Sequence, residues 1–264
     1  MRISTKLKIA LLGGVMALQV PVVQAADLVV GANVGYVPFE FQDESGKIVG
    51  FEVDLIHEIG KRLGRNVQVV NVPFTGLFSA VQSGRINIAI SGITITPKRL
   101  ESVSFAQPYY DSDQSLTVTT SSGISGLKGL ENKDVGVDTG TTGDMWATAN
   151  AKTYKLGEIH RYDGLQSAML DVAAGRISGY IADIPALQYY VKDKPQFKVV
   201  QRIPTGEKYS MMFAKNDPLA KQVNDVITAL KKDGYIAKLH KTWFGTAPTP
   251  DSSTVKVAEM PATK

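Results

Sequence analysis

Ala80-Val81-Gln82-Ser83-Gly84-Arg85-Ile86, running on through Ile90 to Ile93, returns 91 residues later as Asp171-Val172-Ala173-Ala174-Gly175-Arg176-Ile177, running on through Ile181 to Ile184. Both copies read alike: the end of an amphipathic helix, a glycine where the helix stops, then an apolar run of strand type. A polar pair emerges past each strand, Ser91-Gly92 in the first copy and Ala182-Asp183 in the second. Helix-glycine-strand recurs in any α/β chain, so the match gains weight only from its surroundings.

Those surroundings repeat as well. Upstream of the first copy, Leu28-Val29-Val30 has strand character, and Leu55, Ile56, Ile59 and Leu63 recur at helical spacing before Gly64. Val67, Val69, Val70 and Val72 predict a second strand, Leu77 to Ser83 a short helix, and Ile86 to Ile90 a third strand. Upstream of the second copy, Val135 to Val137 predicts a strand, Gly143 to Ala151 a helix and Tyr154 to Ile159 a short strand. Leu165 to Ala174 then predicts a helix with Leu165, Ala168, Met169 and Val172 on one face, and Ile177 to Ile181 the closing strand. Each half is therefore a β-α-β-α-β unit, the building block of a parallel sheet covered by helices. Ligands of open parallel sheets sit beyond the carboxyl ends of the strands, so two facing units would bring both polar pairs into one cleft. Ser115 to Thr120 and Tyr209 to Ala214 are extended and predict two crossovers. Asp217-Pro218 opens helices that run to Trp243 and return to the first lobe.

Composition narrows the classes. The 264 residues are 44% hydrophobic and 20% charged, enough for one large domain or two smaller ones and unlike a disordered chain. Arg2, Lys6 and Lys8 supply three of the four net positive charges, and residues 1–25 hold no acid. The remainder is nearly neutral and has no general attraction to nucleic acid. Cysteine is absent, which excludes disulfides, thiolate metal sites, cysteine nucleophiles and a lipidated amino-terminal cysteine. A basic head, the apolar run Ile9 to Val20 and the small-residue site Val23-Gln24-Ala25 predict a secretory signal over residues 1–25, cleaved after Ala25. A protein exported to a periplasm-like space follows. Residues 248–264, rich in Pro, Thr, Ser and Ala, read as a flexible tail.

The residues offer little to an enzyme. His57, His160 and His240 stand at no metal-ligand spacing, and neither a nucleophile elbow nor a phosphate loop is present. Thr139-Gly140-Thr141-Thr142-Gly143, between a strand and a helix, suits either an anion or an ordinary turn. Arg99 follows the helix start Thr96-Pro97, where a cation opposes the helix dipole; it is a carboxylate clamp or plain surface charge. Asp183 ends an apolar strand and faces either a ligand ammonium or the helix start before Pro185. Tyr36, Phe39 and Phe74 lie in loops after strands, as binding walls or core, with Phe39 the core candidate.

Tyr36-Val37-Pro38-Phe39-Glu40-Phe41, Gly50-Phe51-Glu52-Val53-Asp54, Ser91-Gly92-Ile93-Thr94-Ile95-Thr96 with Arg99, and Lys241-Thr242-Trp243-Phe244-Gly245 together resemble the periplasmic polar-amino-acid-binding proteins of ABC importers, solute-binding family 3. The resemblance spans residues 27 to 245. It implies an α/β, two-lobed periplasmic-binding-protein fold, each lobe a mixed, mostly parallel sheet flanked by helices, with two crossover strands between them. Lobe 1 would comprise residues 26–114 and 210–247, and lobe 2 residues 115–209. The resemblance implies that Arg99 clamps the α-carboxylate with the Thr94 and Thr142 amides. Asp183, the Gly92 carbonyl and the Thr94 hydroxyl would hold the ammonium, with Ser91 beside them. Tyr36 and Phe74 would sandwich the side chain, while Asn33 and Asp138 set preference and Tyr180 and Trp146 narrow the pocket. Asn33 departs from the acid common in relatives that bind cationic or amide ligands. Asp138 stands where the glutamine binder has lysine and the basic-amino-acid binder leucine. The implied partners are a free amino acid and a membrane permease, with a monomeric chain in the periplasm and no cofactor, metal or catalytic residue. Exported cyclohexadienyl and arogenate dehydratases resemble the chain too and form the alternative.

Overall fold

The computed structural model describes residues 27–262, so the predicted signal lies outside the described part. The first half runs β1 (Leu28–Ala32), the hairpin β2 (Phe41–Gln42) and β3 (Ile48–Val49), α1 (Phe51–Leu63), β4 (Val67–Asn71), α2 (Phe74–Gln82), β5 (Ile88–Ala89), α3 (Pro97–Leu100) and β6 (Val103–Phe105). The second runs β7 (Tyr110–Thr119), β8 (Val135–Asp138), α4 (Thr142–Tyr154), β9 (Ile159–Tyr162), α5 (Leu165–Ala173), β10 (Gly179–Asp183), α6 (Ile184–Val191) and β11 (Phe197–Tyr209). Then β12 (Met212–Ala214), α7 (Leu219–Lys232) and α8 (Tyr235–Phe244) complete the first half's layer.

Two five-stranded sheets result, in the orders β4-β1-β5-β12-β6 and β11-β7-β10-β8-β9. In the first, β1 pairs parallel with β4 and β5, while β12 pairs antiparallel with β5 and β6. In the second, β8 pairs parallel with β9 and β10, and β7 antiparallel with β10 and β11. Read from the opposite edge, the second order repeats the first, so the 91-residue echo extends to topology. The helices α2 and α5 begin and end 91 residues apart, and both are followed by a glycine at φ 72°, Gly84 and Gly175. That left-handed turn swings the chain from helix to strand, and a side chain there would be strained.

Helix α1 shows how the sequence builds the covering layer. Phe51, Val53, Leu55, Ile56 and Ile59 are buried, Glu52 and Asp54 stand in the first turn, and Lys61 and Arg62 stand in the last. The charges complement the helix dipole, and Gly64 closes the helix in a left-handed cap. Its buried face joins a core centred on Phe39, fully buried with Phe51, Tyr110, Tyr209 and Phe244 around it at centroid distances of 5.1 to 6.1 Å. Phe39 is thus core.

Three expectations change. The two extended runs are not the crossovers: Met212, Phe213 and Ala214 pair with β5 and β6 inside the first sheet, and Ser115, Leu116 and Thr117 pair with β10 inside the second. One ten-residue strand serves both purposes, and only its first residues cross, where Tyr110, Asp111 and Ser112 pair with Tyr209, Lys208 and Glu207. Tyr154 to Ile159 is not a strand either, because α4 continues to Tyr154 and β9 starts at Ile159. The carboxyl-terminal stretch is docked where composition predicts a loose tail. Ser253 and Thr254 are buried, and Ser253 donates from its amide and hydroxyl to Asp111 (2.7 and 2.5 Å). Lys208 donates to the Ser253 hydroxyl (3.0 Å). Lys231, buried on α7, donates to Gln107 Oε1, Pro108 O and Lys256 O at 2.9, 2.7 and 2.8 Å. These polar contacts replace the apolar pattern that would have announced packing.

Candidate functional site

A cavity between the two halves is lined by all ten candidate residues: Asn33, Tyr36, Phe74, Ser91, Gly92, Thr94 and Arg99 from the first, Asp138, Thr142 and Asp183 from the second. They arrive from beyond the carboxyl ends of β1, β4, β5, β8 and β10, where parallel sheets place ligands.

Arg99 is held in α3, whose first turn is set by Thr96, the side chain accepting from the Arg99 amide at 3.1 Å. The guanidinium donates to Thr94 O (2.7 Å) and Gly140 O (3.3 Å) and lies over the rings of Phe74 and Phe78, 5.6 and 5.3 Å from their centroids. Arg99 is 5% exposed, and among the described residues no carboxylate stands within ion-pair distance of it. Burial lowers its pKa to about 10, against the pull of Glu207 and Asp183, so it remains a cation at neutral pH. A buried cation supported by carbonyls and ring faces has donors left for an anion.

Asp183 sits at the N-cap position of α6 yet makes no capping bond. Its carboxylate instead accepts from the Tyr36 hydroxyl (2.5 Å) and from Gln114 Nε2 (2.5 Å). The Tyr36 bond crosses between the two halves, so the cleft stands closed. Burial, reinforced by Glu207, pushes Asp183 up to about 8. Asp138 ends β8, its Oδ1 without a hydrogen-bond partner among the described residues. Burial pushes it up to about 7, with Asp163 adding to the rise and Tyr180 opposing it. A second cavity opens beyond it, between the 33–36 loop and the start of α5, sharing Asn33, Tyr36, Asp138 and Asp163 with the first.

Gly92 has φ 53°, and a Cβ there would come within 3.0 Å of the Tyr36 ring, so the close approach requires glycine. The Gly92 amide donates to both oxygens of Glu52 (3.0 and 3.1 Å), and Ser91 donates to Glu40 (2.6 Å) while accepting from the Asn33 amide (3.1 Å). Tyr109 also donates to Glu52, at 2.5 Å. Glu40 and Glu52 are fully buried behind the pocket wall and both are pushed up by burial, Glu40 further by the neighbouring Glu52. Two carboxyls in one dry site cannot both ionise cheaply.

Some expectations fall. Tyr180 is packed into the core under α5, and Trp146 packs on Tyr154 at 5.7 Å; neither lines the cavity. The 139–143 turn is partly self-satisfied, with the Gly140 amide donating to Asp144 (3.1 Å). The Thr142 and Gly143 amides precede the first intrahelical bond of α4, Met145 N–H to Thr141 O (3.1 Å). The Thr94 hydroxyl donates to Glu207 (2.7 Å), leaving its lone pairs to accept. Gln114, Thr75, Tyr162 and Asp163 also line the cavity and were not anticipated. Each lies in a stretch whose pattern carries no motif, and only their three-dimensional convergence identifies them.

Residues 28–246 match the bacterial extracellular solute-binding proteins, family 3. The chain is 31% identical over 222 residues to the L-cystine-binding protein TcyJ of Escherichia coli K12, covering 83% of this chain and 82% of that one. It is 28% identical over 228 residues to the arginine-binding periplasmic protein of Mannheimia haemolytica, covering 84% and 92%. Among solved structures it resembles the arginine-, lysine-, histidine-binding protein ArtJ of Geobacillus stearothermophilus, with TM-score 0.78, 32% identity, and 85% and 98% of the two chains covered. An ancestral arginine-binding protein bound to arginine superimposes with TM-score 0.80 at 33% identity, over 84% of this chain and 100% of that one.

Proposed function

We propose, since this chain belongs to the bacterial extracellular solute-binding proteins of family 3, that it captures one free amino acid between its lobes and delivers it to the membrane permease of an ABC importer. Its relatives are amino-acid-binding proteins, which favours this reading over the dehydratase alternative. Export through a signal at residues 1–25 and action as a monomer in the periplasm belong to the same proposal.

One observation carries it: Arg99 is a buried guanidinium in the interlobe cavity with carbonyl and aromatic partners but, among the described residues, no carboxylate. An α-carboxylate supplies the missing anion, received also by the Thr94 and Thr142 amides. Asp183 and the Gly92 carbonyl take the ammonium, with Ser91 holding the turn. Tyr36 and Phe74 flank the side chain. Ligand selects the closed form because only there do the Arg99 and Asp183 sides meet one zwitterion. Charge-assisted hydrogen bonds contribute about 1.5–3 kcal/mol each, so a few suffice for micromolar binding after the costs of association.

The side chain would point past Asn33 toward Asp138, whose unpartnered Oδ1 and neighbour Asp163 favour a ligand tip that donates hydrogen bonds or carries positive charge. A thermal-shift panel of L- and D-amino acids identifies the ligand. Against it, calorimetry of Arg99→Ala shows affinity reduced at least about a hundredfold, the loss of two charge-assisted bonds, with near-native melting. Unchanged affinity defeats the assignment. Asp138→Asn reorders the ligand ranking while binding persists; an unaltered ranking removes Asp138 from the specificity set.

A further inference from the structure

Glu207 lies on β11 just past a register shift between Ile203 and Glu207, where the strand leaves the second sheet and pairs with Ser112. It is 7% exposed and does not line the ligand cavity. One of its oxygens, Oε2, accepts from the Thr94 hydroxyl at 2.7 Å and the Thr142 hydroxyl at 2.8 Å, while Oε1 accepts from Gln114 Nε2 at 2.9 Å. The two hydroxyls are 3.4 Å apart. Thr94 belongs to lobe 1, and Thr142 begins α4 of lobe 2. A single carboxylate oxygen on a crossing strand thus receives a hydroxyl from each lobe.

We propose that Glu207 is a latch that holds the lobes closed without touching the ligand. The Thr94 side of the latch is anchored, because Thr94 bridges to Tyr209 and the Ile95 amide donates to Lys208 O (2.9 Å). Thr94 therefore stays with Glu207 when the lobes part. Thr142 opens α4, and Gln114, which the expected boundary at residue 114 left in lobe 1, pairs with Asp183 of β10 in the second sheet; both lie on the far side of the register shift, and rotation about the crossing strands withdraws them from Glu207. Those charge-assisted bonds exist only in the closed form. Two further ties across the cleft, Tyr36 to Asp183 and Arg99 to Gly140, use groups that the ligand itself engages. Glu207 is the tie that ligand leaves in place. It also orients the two threonines whose amides receive the α-carboxylate, which makes it a positioning residue for the proposed binding reaction.

Glu207→Gln and Glu207→Ala test this in the full mature chain, with L-arginine, L-cystine and the remaining amino acids as probes. Stopped-flow binding is expected to show dissociation about tenfold faster or more in Glu207→Ala and less affected in Glu207→Gln, which keeps one acceptor. Association stays within about threefold, and the ranking of ligands is unchanged. Small-angle scattering of the ligand-free variants should give a radius of gyration larger than the parent's. Dissociation rates equal to the parent's overturn the latch, and so does an altered ligand ranking, which would make Glu207 a ligand contact. The kinetic arm rests on the amino-acid-binding reading. If the parent chain binds no amino acid, that reading fails by itself and scattering alone decides: expansion in both variants supports the latch, and unchanged dimensions overturn it.

Discussion

Glu40 and Glu52 face each other behind Ser91 and Gly92 with no lysine or arginine in ion-pair reach among the described residues. Both pKa values are raised, so the folded protein keeps a proton that the unfolded chain releases above about pH 4.5. The stability this pair confers is full below that pH and drains away as pH rises through the folded-state value. Glu40→Gln mimics the protonated acid, accepting from Ser91 and donating to Glu52. Its melting temperature should fall less than the parent's between pH 5 and pH 8, as scanning calorimetry would reveal. The pocket aspartates titrate nearer neutrality, Asp183 at about 8 and Asp138 at about 7. An ammonium arriving at Asp183 draws its pKa down, so binding releases protons and affinity climbs as pH rises toward about 8. Calorimetry in buffers of different ionisation enthalpy detects that release; proton-neutral binding would exclude ammonium capture by Asp183. Asp183 is visible in the sequence as a charge at the end of an apolar strand and Arg99 as a cation at a helix start, whereas Asp138 follows only from the resemblance. Glu207 and Gln114 are not visible, since an acid or amide within a polar-flecked strand such as Ile203 to Tyr209 looks solvated until folding surrounds it.

Helices α2 and α5 show what periodicity makes legible and what it misses. Their stop glycines and apolar faces are plain from spacing, and the repeat places them in register. The start of α2 at Phe74, three residues before the predicted Leu77, escapes a hydrophobic pattern because its first turn is partly exposed. The long β7 escapes for the opposite reason: Ser112, Gln114, Ser115 and Thr117 are polar yet buried, so alternation gives no sign of where crossing ends and sheet begins. At Gly175, with φ 72° and no atom within 4 Å of an added Cβ, substitution meets backbone strain alone. Gly175→Ala should therefore cost about 1 kcal/mol, or roughly 2–4 °C in melting temperature, without changing ligand affinity. A larger loss measured by thermal denaturation would mean that α5 and β10 meet differently from this geometry.

The two lobes share one plan, with four strands running one way and one antiparallel strand, second from an edge, in each sheet, and the chain passes between them on two paired strands. Fold and family were therefore readable before any coordinates, whereas the docking of residues 249–260 was not, because it depends on a lysine finding three carbonyl-type oxygens. Ending the chain after Pro248 removes the Lys256 carbonyl from Lys231 and Ser253 from Asp111. Each lost bond is worth about 1–2 kcal/mol, and a melting temperature several degrees lower is expected; an unchanged transition would show that the strap adds nothing. The same strap has a practical use. Because it is pinned to α7 and to the crossing strands rather than to lobe 2, a fluorescent protein fused behind it would travel with lobe 1. A second fluorophore in the exposed turn at Lys192 and Asp193 would travel with lobe 2. Energy transfer between the two would turn nutrient capture into a colour change, making the carboxyl terminus the natural attachment point for an optical biosensor.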